Sequence, residues 1–182
     1  MSVLDVVNYG DPILRKKCKQ VTDFSNLTSF IEDMFDTMYE EEGIGLAANQ
    51  VGVDMNMFII DIAHTDKNEF PRIFINGTIT KLEGESTFSE GCLSIPQVAL
   101  EVIRPETIIF KYQDINQNWH EEKFDGLLSR AIQHEMDHLN GVLIIDLVDE
   151  IQKAKVQKEV NKIKNDSISR IKKNSSDKRF VL

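Results

Sequence analysis

A chain of 182 residues, 41% hydrophobic and 28% charged, has the make-up of a single globular domain large enough to bury one core. No apolar run reaches the ~20 residues of a bilayer span, and the start, Met1-Ser2-Val3-Leu4-Asp5, resembles neither a secretory signal nor a transit peptide, so a cytoplasmic location is expected. Two cysteines, Cys18 and Cys92, are too few for a secreted disulfide scaffold, and a net charge of −9 makes the body a poor nucleic-acid binder.

Cys18, between Lys17 and Lys19, reads as a small structural thiol. Leu27, Phe30, Ile31, Met34, Phe35, Met38 and Tyr39 recur at steps of three and four, which predicts an amphipathic helix over 27–39 capped by Asn26 or Ser25. The acidic run Glu40-Glu41-Glu42 solvates its end. Residues 43–52, Gly-Ile-Gly-Leu-Ala-Ala-Asn-Gln-Val-Gly, mix glycine and small apolar residues, as a buried and closely approached backbone requires. Strands are predicted over 57–62, 72–76 and 98–103, and a hairpin joins 107–112 to 119–124 around Asp114-Ile115-Asn116-Gln117-Asn118. A helix is predicted over 126–139, stopped by Asn140-Gly141. Leu127, Ala131, His134 and His138 line one of its stripes, and Leu128, Ile132, Glu135 and Leu139 line the next, so it belongs in the core. Val142 to Val148 reads as a short apolar strand or extended segment. A basic helix then frays into a Ser-, Asn- and Lys-rich, disordered end. The expected architecture is α+β, with antiparallel strands packed around a central helix and a C-terminal helix following. Residues 1–150 are expected to form one domain and 151–182 a basic appendage. From Gln152 to Leu182, ten Lys or Arg face three Asp or Glu, a net +7, which leaves −16 for the rest of the chain.

His134-Glu135-Met136-Asp137-His138 is an H-E-x-x-H sequence on the central helix. Four residues advance a helix by about 400°, so both imidazoles share one face and reach one ion at about 2.0–2.1 Å. Glu135 lies about 100° around, within reach of a metal-bound water. An ordinary helix would have to bury two histidines and a carboxylate unpaired, which is costly. A third ligand is needed. His64 and His120 lie in polar stretches, whereas Cys92, in Glu90-Gly91-Cys92-Leu93-Ser94, offers a thiolate suited to zinc or ferrous iron. Three protein ligands leave a coordination position open, as catalysis requires.

Gly43-Ile44-Gly45-Leu46-Ala47-Ala48-Asn49-Gln50, Glu90-Gly91-Cys92-Leu93-Ser94 and Gln133-His134-Glu135-Met136-Asp137-His138 together resemble the three signature motifs of the peptide deformylases, in order and spacing. The resemblance spans about 3–148. It implies a hydrolase that removes the formyl group from the initiator methionine of nascent polypeptides. It further implies that Cys92, His134 and His138 bind one divalent metal ion, usually Fe2+, with Zn2+, Ni2+ or Co2+ as alternatives. Glu135 would be the general acid/base for attack by metal-bound water. The Gln50 amide and Leu93 N–H would stabilise the oxyanion. Ile44, Gly45 and Gly91 would line the cleft, and Leu127, Arg130 and Ala131 would border the side-chain pocket beside His134. Arg130 departs from the apolar residue expected there. Asp137 or a backbone carbonyl is expected to orient a ligand histidine, and Glu90 is expected to pair with Arg104.

Two other readings fit the motif: a zinc endopeptidase, which would draw a third ligand from downstream of His138, and a non-catalytic metal-stabilised binding module, which would need a fourth ligand. The expected partners are an N-formylmethionyl peptide and, through the +7 tail, the ribosome. No membrane partner is expected.

Overall fold

The computed structural model describes residues 2–177 and shows an α+β fold of two antiparallel sheets and three helices. Helix α1 (Leu27–Glu40) follows an irregular N-terminal segment; β1 (Gly45–Ala47), β2 (Met57–Ile60) and β3 (Arg72–Glu83) come next. Strands β4 (Ser86–Cys92), β5 (Ile95–Arg104), β6 (Thr107–Gln113) and β7 (Trp119–Phe124) lead into α2 (Gly126–Leu139) and α3 (Glu150–Asp177). The larger sheet has the order β1-β2-β3-β6-β7, and β4 pairs only with β5.

The large sheet lies between two helices. Met57, Ile59 and Ile75 face α1 and pack with its Leu27, Ile31, Met34 and Met38. Phe58, Phe74, Phe110 and Phe124 face the other way and receive Leu128, Ala131, Ile132, Met136 and Leu139 of α2. With helices on both faces, β2 is buried at every position, which is why it reads as an unbroken apolar run rather than an alternation. The rings of Phe58 and Phe74 stack at 5.0 Å, with Phe110 edge-on to Phe74 at 5.7 Å. A third cluster joins Ile95, Val98, Leu100 and Val102 of β5 to Val160 of α3 and to Leu143, Ile144 and Val148 of the segment before that helix.

Several boundaries differ from the sequence reading. Strand β3 extends well past Asn76, and β5 takes in Ile95 to Arg104. The segment Val142 to Val148 is not a strand: it makes a 3-10 turn over Ile144–Asp146, closed by Leu143 N donating to Asp146 Oδ2 at 2.8 Å. Its apolar residues fill the third cluster instead of joining a sheet. Asn26 occupies the α1 cap position without a side-chain cap bond, while Ser25 is engaged by Asp23. The basic segment is helical through Asp177, and the disordered end expected there falls partly on residues 178–182, outside the described residues. Among the described residues no helix is long and apolar enough to cross a membrane.

Candidate metal centre and active site

Helix α2 carries its polar motif on a face turned into the protein. His134 and His138 stand one turn apart with ring centroids 5.0 Å from each other. Cys92, at the end of β4, meets them: its Sγ lies 3.2 Å from His138 Nε2, and one donor atom from each of the three residues falls within 4.8 Å of the others. The remaining histidines are elsewhere, His64 exposed and His120 bonded to Asp114 at 2.8 Å. The third donor therefore comes from upstream. Two imidazoles and a thiol fit zinc or iron.

Glu90 orients His134. His134 Nδ1–H donates to Glu90 Oε2 at 3.1 Å, which leaves Nε2 for an ion. Asp137, one of the two acceptors expected in that role beside a backbone carbonyl, instead accepts from Arg104 Nη1 at 2.7 Å. The expected Glu90–Arg104 pair is present and bidentate, at 2.7 and 2.9 Å. Burial works against ionisation of Glu90, but hydrogen bonds from His134 and Arg104 win and hold its carboxyl down at about 2. Burial likewise disfavours the charged form of His134, yet the bonds to Cys92 and Glu90 leave its pKa raised. His138, buried and facing His134, is pushed down. Burial lifts the Glu135 carboxyl to about 7, and its Oε2 is buried with no hydrogen-bond partner. A carboxylate oxygen left unpaired in a closed site is costly unless a ligand or substrate completes it.

A cleft of about 820 Å³ opens onto this group. Its walls include Ile44, Gly45, Gln50, Gly91, Cys92, Leu93, Leu127, Arg130, Ala131, His134 and Glu135, so every residue expected to act on a substrate is assembled there. Gly45 is needed at its position because a Cβ would lie 2.5 Å from Glu135 Oε1. The 3-10 turn Ala48–Val51 presents Gln50. Ala47 N–H donates to Gln50 Oε1 at 2.8 Å, which turns Nε2 toward Ser94 Oγ at 3.3 Å and Cys92 Sγ at 3.9 Å. Sequence reasoning missed Phe88, Gln97 and the acids Glu41 and Glu42 on the same walls. Arg130 stands on the cleft wall as expected, with its charge engaged inside the protein. It is buried, and its guanidinium donates to Glu90 Oε1 at 2.6 Å, Val102 O at 3.1 Å, and Ser86 O and Oγ at 2.8 Å each.

Residues 3–154 match the family described as Polypeptide deformylase. A peptide deformylase of Flavobacterium psychrophilum is 42% identical over 175 residues, covering 88% of this chain and 90% of that protein. One from Brucella suis is 42% identical over 172 residues, covering 93% and 98%. Among solved structures, a peptide deformylase from Plasmodium falciparum superposes with a TM-score of 0.86 at 39% identity, covering 91% of this chain and 98% of that one. A peptide deformylase from Legionella pneumophila gives 0.82 at 37% identity, covering 90% and 96%.

Proposed function

This chain belongs to the polypeptide deformylase family and is a metal-dependent deformylase, and from that premise we propose how its own residues remove the formyl group from an N-formylmethionyl peptide. Cys92, His134 and His138 hold the ion, which we take to be Fe2+ in the cell, with Zn2+, Ni2+ or Co2+ able to replace it. When bound, it supplies the Lewis acidity that makes water nucleophilic near neutral pH.

Glu135 takes a proton from the water that adds to the formyl carbon, then delivers it to the departing amine. A buried carboxyl raised to about 7 is suited to both halves of that task. Gln50 Nε2, locked by the Ala47 bond, and the Leu93 N–H donate to the oxyanion; one such donor contributes about 2.7–4 kcal/mol in other acyl-transfer sites. The backbone of Ile44, Gly45 and Gly91 aligns the extended peptide. Leu127, Ala131 and the Arg130 side chain border the space for the methionine side chain. The observation that carries this reading is the unpartnered Glu135 oxygen beside a three-donor group at the head of an open cleft.

An endopeptidase would draw its third ligand from beyond His138, and among the described residues the donor group is Cys92, His134 and His138. We propose further that the protein works in the cytoplasm, where nascent chains carry the formyl group, and that residues 1–150 form the catalytic unit with the basic helix as a ribosome-facing appendage. The test is anaerobic purification, metal analysis and a formyl-Met-peptide assay before and after exposure to air. Formate release with one iron per chain, lost in air, is expected. Cleavage of internal peptide bonds without formate release would overturn the reading.

A further inference from the structure

The two halves of the ligand group arrive on separate elements. Cys92 ends β4, in the two-stranded sheet, whereas His134 and His138 stand on α2, which packs on the five-stranded sheet. Buried charges join them. Glu90 is the centre, accepting from Arg104 Nε and Nη2, from Arg130 Nη1 and from His134 Nδ1.

Arg130 reaches furthest from that centre. Standing on α2, it holds both strands of the small sheet: Ser86, the first residue of β4, through Nη2, and Val102 of β5 through Nη1. Its guanidinium also lies 5.6 Å from the centroid of the Phe88 ring. Only 7% of the residue is exposed. A buried cation whose two Nη groups are both engaged this way resists displacement, because a shift leaves a charged donor or Glu90 unpaired out of water. The planar fork matters. A lysine ammonium on a flexible stem cannot serve Glu90, Val102 and Ser86 together.

We propose that Arg130 is a positioning residue for the metal centre: it fastens β4, and with it Glu90 and Cys92, to the helix that carries His134 and His138. The inference rests on the reading of those three residues as ligands. It gives the guanidinium a task that does not involve touching the substrate.

The experiment loads the parent protein, Arg130→Lys and Arg130→Met with Zn2+. It follows transfer of the ion to excess chelator, at a temperature below every unfolding transition. Outer partners of metal ligands typically change affinity by about 10–100-fold. Arg130→Lys is expected to speed release about tenfold and Arg130→Met further, with kcat for a formyl-Met peptide falling more than KM rises. Release from Arg130→Lys within twofold of the parent overturns the proposal, and so does a lowered Tm in the variants without faster release. If Arg130→Met fails to fold, the lysine variant decides. A parent that takes up no Zn2+ overturns the ligand reading itself, a separate result.

Discussion

Gly45 and Glu135 share one small volume, and the chemistry depends on which of them fills it. With a Cβ 2.5 Å from Glu135 Oε1, Gly45→Ala must push the carboxylate aside. A displacement of about 1 Å costs roughly 10²-fold in turnover, so kcat should fall by about that factor while metal content stays at the parent value. Glu135→Gln keeps the shape and removes the proton carrier, and should lose about 10²–10⁴-fold with metal retained. Loss of metal in either variant would contradict the division of labour between ligands and base. Cys18 makes the opposite case, a group kept out of chemistry. Burial, helped by nearby Asp54, pushes its thiol up to about 11. The raised folded pKa favours the neutral thiol, so this contribution to stability is full below pH 9 and fades as pH climbs toward 11. Alkylation at pH 8 should therefore reach Cys18 only in denaturant, read by peptide mass. Ready labelling in the folded protein would contradict its burial.

At the scale of elements, α2 must stop where Cys18 N–H meets Leu139 O at 2.8 Å. Gly141 makes the stop, at φ +74° and with Arg15 O only 2.6 Å from where a Cβ would sit. A non-glycine residue in the left-handed region costs about 1–2 kcal/mol, so Gly141→Ala should lower Tm by at least a few degrees in a melting scan. Both α2 and this stop were legible because helix periodicity and the glycine signal are local. His134, Glu135 and His138 were legible for the same reason, and Cys92 through thiolate chemistry and the glycine-bearing segment around it, since no helical spacing links it to the histidines. Strand β4 was not, because its pattern is inverted: Phe88 is exposed while Glu90 is buried. The turn over Ile144–Asp146 was misread because burial in a cluster and burial in a sheet give the same apolar run. The bonds that Arg130 makes were not legible, since its partners lie 28 to 44 positions away and no local spacing records such a pairing.

Across the whole molecule, charge is segregated. Helix α3 turns Val156, Val160 and Ile163 onto the third cluster and ties Ser167 Oγ to Asn8 O at 3.2 Å, while Lys155, Lys158, Lys162 and Lys172 stay exposed. If the basic face docks on ribosomal RNA, binding to isolated ribosomes should weaken steeply with added salt and be lost on removing 152–182. Salt-insensitive binding, or binding that survives the truncation, would contradict this. The lone strand pair β4–β5 carries a different consequence. Cys92 and His138 are 46 positions apart, so an ion gripped by both closes a covalent-like ring through the folded chain that the unfolded chain lacks. Folding and metal supply then become one linked equilibrium: free ion at a hundred times its Kd adds about 2.7 kcal/mol to stability. The melting temperature should climb with the logarithm of free metal, so that a starved cell holds a protein that opens more readily and is degraded sooner.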